Sequence, residues 1–223
     1  YVPLRDGDPL GLLHVRSERG RYGLIEIAWS LDLDGRITGG NLQRCRDPEL
    51  REVFTEGLQS RLGSGDSQTI LALLQKEGVT PEQQVLLRSA AKTAAVTSIV
   101  WDADLLPMRA AARANTYWPD SEPVLSTLPI DQSRFSVDSG IEPLSVHAWS
   151  ARGSDGQDLG QLARSWTNFD GQHVELWWQI DLQGRIVAVS EVGTASPSIQ
   201  VAFAQVIGKS ENTVSQCATA AGV

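Results

Sequence analysis

The fold is decided by two similar stretches, residues 25–37 (IEIAWSLDLDGRI) and residues 174–186 (VELWWQIDLQGRI). In both, apolar and polar residues alternate with the period of two that is typical of a half-buried β-strand. Both then reach a turn dipeptide, Asp34-Gly35 or Gln183-Gly184, in which glycine tolerates a positive φ. Each stretch therefore predicts an antiparallel hairpin.

The two stretches belong to a longer internal repeat. A shift of 149 residues aligns residues 6–54 with residues 155–203 without a gap, and 14 of the 49 aligned positions are identical. In both copies a proline, Pro48 or Pro197, precedes a segment with helical spacing. Each copy therefore predicts three strands followed by a helix, and we interpret the repeat as a duplication.

The first copy is predicted to carry two further helices. One covers residues 69–74, and the other starts at Thr80-Pro81, where threonine caps the helix and proline occupies its first turn, and extends towards Trp101. The predicted organisation is a first unit at 1–118, a Pro/Ser-rich connector without secondary structure at 119–143, and a shorter second unit at 144–223. The fold class is α+β, and we expect a monomer in which the two units pack about a pseudo-two-fold axis.

Composition excludes several classes of protein. The chain has 223 residues, is 41% hydrophobic and 21% charged, and has no apolar run long enough to span a membrane. A net charge of −8 opposes binding to nucleic acid. Cys45 and Cys217 are too far apart in sequence for a zinc cage, so we expect no metal; a disulfide and two reduced thiols both stay open.

Motifs for catalysis are absent from the sequence. It has no nucleophile elbow, no HExxH and no phosphate loop, and its histidines (His14, His147 and His173) are isolated from one another. We interpret them as strand or surface residues, and Asp102 and Asp104 as capping or solvated. Trp177 has the parity opposite to Trp29 and Trp178, so we expect another part of the protein to cover it. An independent hydrolase or transferase is the least favoured alternative.

The order of several features resembles the FMN-binding domain family, the flavin subunits of Rnf-type and Nqr-type electron-transport complexes. These features are Tyr1-Val2-Pro3, Gly7, Gly20-Arg21-Tyr22-Gly23, the strand ending in Asp34-Gly35, and the loop containing Pro48. The resemblance covers about residues 1–100, and a shorter similarity to the same family covers residues 150–208. It implies a site for FMN, which in this family is attached to a hydroxyl through a phosphoester.

The chain departs from that family where the flavin is held. The counterpart of the attachment motif is Ser89-Ala90-Ala91-Lys92-Thr93-Ala94, which has Ala94 in place of the acceptor hydroxyl. We therefore expect no covalent FMN, while non-covalent FMN stays open. The resemblance implies the following candidate residues: Arg88, Ser89, Lys92, Thr93 and Trp101. Arg88 or Lys92 would bind the phosphate, and Trp101 or, alternatively, Trp118 would stack on the flavin.

The predicted function is that of a non-catalytic accessory relative of these electron-transport subunits, with membrane or envelope proteins as partners. Because the sequence starts at Tyr1 and not at methionine, we expect export to the periplasm or beyond, with an upstream signal or anchor removed. The alternatives are a non-covalent FMN carrier and a protein-docking module. The docking module resembles the carboxy-terminal domain of TonB-type energy transducers, which also has a strand, an Asp-Gly-Arg turn and a helix.

Overall fold

A computed structural model describes residues 1–5, 8–55, 62, 65–129, 146–169 and 172–192. Over these residues the protein is mixed α+β, as predicted, with antiparallel sheets and four helices. The chain divides into two compact units, Tyr1–Arg109 and Ala110–Val223. No helix in the described ranges is long and apolar enough to cross a membrane.

Unit 1 is built on a three-stranded antiparallel sheet in the order β3-β4-β5, preceded by a short two-stranded ribbon. The strands are β1 (Leu4–Arg5), β2 (Asp8–Pro9), β3 (Leu12–Gly20), β4 (Gly23–Leu31) and β5 (Ile37–Arg44). The predicted hairpin is confirmed: β4 and β5 are antiparallel, and Gly35 in the turn has a φ of 77°.

Four helices follow the sheet in sequence: α1 (Pro48–Val53), α2 (Ser67–Leu74), α3 (Pro81–Val100) and α4 (Asp102–Tyr117). The start of α3 is as predicted, because the Thr80 hydroxyl accepts the Gln83 N–H and the Gln83 side chain accepts the Thr80 N–H. Asp47 and Asp66 cap α1 and α2 through their carboxylates, which accept main-chain N–H groups of the first turn. Helix α4 was not predicted; the unit boundary falls within it, after Arg109.

The core of unit 1 lies between the inner face of β4 and the helices. Ile25, Ile27, Trp29 and Leu31 are buried, as their alternation predicts. The Trp29 ring lies 6.1 Å from the ring of Phe54, which follows α1. On β5 the sheet needs a glycine at Gly40, because a Cβ atom there would approach the Trp29 ring to 2.8 Å.

Unit 2 contains a five-stranded antiparallel meander in the order β10-β9-β8-β7-β6. Its strands are β6 (Val124–Thr127), β7 (Val146–Arg152), β8 (Asp158–Phe169), β9 (Gln172–Ile180) and β10 (Ile186–Val192). The prediction of a connector without secondary structure is wrong for Val124–Thr127, which pairs with β7. Pro123 and Pro129 flank this strand without interrupting it. Residues 130–145 lie outside the described chain.

Both faces of the second sheet are partly covered, and this changes the predicted exposure of its tryptophans. Trp177, predicted to be covered by protein, is fully buried and stacks on Trp149 with ring centroids 5.8 Å apart. Trp178, predicted to be core, is only partly buried, and its indole N–H donates to Ser165 Oγ at 2.8 Å. A strict alternation of buried and exposed residues predicts one buried face, whereas this sheet has buried residues on both faces.

The hairpins of the two units share local geometry at aligned positions. Gly11 and Gly160 have φ of 139° and 128°, and a Cβ on either would lie 2.2 Å from a carbonyl oxygen of the neighbouring strand. In both turns an aspartate Oδ1, of Asp32 or Asp181, accepts the N–H of the arginine four residues later. The helix predicted after Pro197, and Cys217, lie outside the described residues, so the Cys45–Cys217 bridge stays a prediction.

Candidate functional site

The five residues predicted for flavin binding do not form one site. Ser89 and Thr93 face the core from α3 and have no exposed surface, whereas Arg88 and Lys92 lie on the exposed side of the same helix. Adjacent residues on an α-helix point about 100° apart, so these two pairs cannot contact one ligand from the same side.

Trp101 is also distant from Arg88. It caps the carboxyl end of α3, where its N–H donates to Thr97 O at 3.2 Å, and its side chain is 49% exposed. A helical rise of about 1.5 Å per residue places it roughly 20 Å along the axis from Arg88. This distance exceeds the reach of one flavin ring stacked on Trp101 with its phosphate near Arg88.

Ser89 has a structural partner. Its Oγ accepts the indole N–H of Trp29 at 3.0 Å, inside the core of unit 1. A buried indole N–H needs such an acceptor, and serine is small enough to supply it from a helix packed on the strand. We therefore assign Ser89 to the core and not to a phosphate site.

Thr93 is different, because its buried hydroxyl lacks a partner. In the described part of the chain, Thr93 Oγ1 has no hydrogen bond, and neighbouring core residues include Ala90 and Ala94 on the same helix. A threonine usually satisfies its hydroxyl on the carbonyl one turn earlier. An unpaired buried hydroxyl costs stability, and Thr93 lines neither of the two clefts described next.

Two clefts in unit 1 lie elsewhere. One, of about 640 Å³, is lined by the amino-terminal segment and the start of β3, including Tyr1, Pro3 and Leu10. The other, of about 560 Å³, lies between β5 and α1 and is lined by Asn41 and Phe54 among others. Neither is lined by any of the five residues predicted for flavin.

Strand β3 is an edge strand of the sheet of unit 1. We call its outer edge, residues 13–19, the β3 edge. At its start, Leu13 N–H donates to Tyr1 O at 2.8 Å, and Tyr1 N donates to Leu13 O at 3.0 Å. This reciprocal pair is the hydrogen-bonding pattern of an antiparallel strand. The beginning of the β3 edge therefore already pairs with an extended segment.

Beyond Leu13 the β3 edge presents main-chain groups without partners. Hydrogen-bonding direction alternates along a strand, so Val15, Ser17 and Arg19 point the same way as Leu13, away from β4. In the described chain their outward N–H and C=O groups make no hydrogen bond, and Val15 is 50% exposed. Sequence analysis missed this surface, although the hairpin of β3 and β4 around Arg21-Tyr22 could have indicated an edge strand.

Cations surround the β3 edge. Glu18 Oε1 accepts Arg16 Nε at 2.7 Å, and Glu18 Oε2 lies 3.8 Å from Lys92 Nζ. Arg19 is exposed, and the Arg21 guanidinium lies 5.4 Å from the centre of the Tyr22 ring. Burial, followed by the positive charge of Arg16, lowers the pKa of His14, which keeps that imidazole neutral near pH 7.

Unit 2 contains a second polar cluster, centred on the Glu175 carboxylate. Arg164 donates to it twice, from Nε to Oε1 and from Nη2 to Oε2, each at 2.9 Å. The indole N–H groups of Trp177 and Trp166 donate to it at 2.8 and 3.4 Å. Arg164 also lies 4.0 Å above the Trp166 ring and is almost fully buried. These four hydrogen bonds occupy the acceptor positions of the carboxylate, so we assign the cluster a structural role.

The histidine and aspartate candidates of the sequence make structural contacts. His147 stacks on Trp149 and meets Trp166 edge-on. Asp102 begins α4 and pairs with Arg109, which also binds Asp34 in the first hairpin turn, both at 3.1 Å. Within the described residues no group of three or more metal-ligating side chains occurs.

Comparison with known proteins identifies no relative: no family model matches the sequence, and no curated protein or solved structure matches it. A function for the chain is therefore inferred from its own residues and geometry.

Proposed function

We propose that this chain is a non-catalytic accessory module that binds other proteins of an exported electron-transport assembly and carries no flavin of its own. The link to electron transport comes from the order of motifs that resembles the FMN-binding domain family. The single observation that supports the loss of flavin is that Ser89 and Thr93, the two hydroxyl-bearing residues of the motif counterpart at 89–94, have no exposed surface. Ala94 at that position offers no nucleophile.

The duplication is part of this proposal. The aligned glycines Gly11 and Gly160, with the same backbone conformation and the same close carbonyl, support a common origin for the two hairpins. So does the shared capping of the turn by Asp32 and Asp181. An experimental structure of the full chain tests it: residues 6–54 and 155–203 should superimpose at aligned positions, and different strand connections in the two segments would refute a duplication.

A titration with FMN tests the proposal against a flavin carrier. The expected result is that adding protein produces no saturable change in flavin fluorescence, because the residues predicted for flavin lie on different faces of α3. Saturable binding that is lost in Lys92→Gln would establish a non-covalent carrier instead. Lys76→Gln, a change of the same type in the same unit, is the matched control.

The docking alternative is favoured by one specific observation: the outward main-chain groups of Val15, Ser17 and Arg19 make no hydrogen bond within the described residues. Sheet edges of this kind bind extended segments of partners through main-chain hydrogen bonds. Photo-crosslinking from position 17 of the exported full chain tests docking. We expect a product with an envelope electron-transport protein, identified by mass spectrometry. Crosslinks only to unrelated abundant proteins would contradict the proposed role.

A further inference from the structure

We draw no further inference here: the strongest candidate, the exposed apolar patch that Ile99, Val100 and Trp101 form where α3 meets α4, carries none because nothing in the described residues shows what covers it.

Discussion

Trp29 Nε1 donates a hydrogen bond of 3.0 Å to Ser89 Oγ, and neither residue has exposed surface. This contact joins the central strand of unit 1 to its longest helix. It uses a hydroxyl that the family resemblance would assign to the flavin phosphate. The helix that would carry a cofactor is thus a core helix in this protein.

The first prediction concerns that hydrogen bond. Ser89→Ala leaves the Trp29 indole N–H buried and unpaired, so the free energy of unfolding should fall by about 1–3 kcal/mol. Urea unfolding followed by tryptophan fluorescence measures it. Ser98→Ala on the exposed side of the same helix is the control and should change little. Equal effects of the two substitutions would show that the Trp29–Ser89 bond contributes nothing.

The second prediction concerns the unpaired hydroxyl of Thr93. Thr93→Val keeps the branched shape and removes a buried group without a hydrogen bond, so stability should rise, by up to about 1–2 kcal/mol. Thermal unfolding detects the change, and the exposed Thr69→Val on α2 serves for comparison. A loss of stability in Thr93→Val would mean that the hydroxyl is bonded in solution.

The third prediction concerns two aspartates at aligned turn positions with opposite pKa shifts. Burial raises the pKa of Asp32 above 3.8, whereas the hydrogen bond from the Arg185 N–H, followed by one from its side chain, lowers the pKa of Asp181. The contribution of Asp32 to stability is present below pH 3.8 and is lost as pH rises through its folded-state pKa. That of Asp181 is present above pH 3.8 and is lost as pH falls through its folded-state pKa.

Asparagine at each position tests these signs. Asp32→Asn keeps the Oδ1 acceptor and should raise stability at pH 7 relative to that at pH 3, when compared with the unsubstituted chain. Asp181→Asn should do the reverse, and each variant is the control for the other. Stability curves against pH that shift in the same direction for both would contradict the assignment.

The fourth prediction concerns the Glu175 cluster. Glu175→Gln leaves the Arg164 guanidinium buried without its counter-charge, so unit 2 should lose about 3–5 kcal/mol. Asp158→Asn breaks an ion pair with Arg152 that is largely exposed and should cost at most about 1 kcal/mol. Chemical unfolding compares them, and a cost for Glu175→Gln no larger than that for Asp158→Asn would refute the buried network.

The fifth prediction concerns the glycines at the start of the two hairpins. Gly11→Ala and Gly160→Ala each place a Cβ 2.2 Å from a carbonyl oxygen at a positive φ, so both should lose about 1–3 kcal/mol or more. Gly39→Ala, where a Cβ has open space, should be nearly neutral. Thermal unfolding of the three variants checks this, and a tolerated alanine at Gly11 or Gly160 would contradict the close approach there.

Much of the fold was predictable because local signals agreed with the final packing. The alternation around Trp29 and the Asp34-Gly35 turn predicted the hairpin, and Thr80-Pro81 predicted the start of α3. Helix α4 was not predicted, since Pro107 lies inside it and proline normally ends or kinks a helix. Strand β6 depends on pairing with β7, a long-range contact that four residues between prolines do not encode.

The candidate site was harder to predict, because motif matching ignores which way a helix faces. Ser89 and Thr93 are spaced like the buried alanines Ala90 and Ala94 beside them, so helical periodicity could have placed them in the core. The β3 edge depends on hydrogen bonds that neighbouring segments make or leave unmade. Composition and alternation carry no information on that.

The most direct test of the central claim, that this chain carries no tethered flavin, is the intact mass of the exported protein measured under denaturing conditions. The chain should be expressed in cells that attach FMN to their own flavin subunits, and its sample should also be scanned for visible absorbance. The account predicts the mass of the polypeptide alone and a colourless sample. A mass increased by one FMN phosphoester, localised to Thr93 or any other hydroxyl, would contradict it.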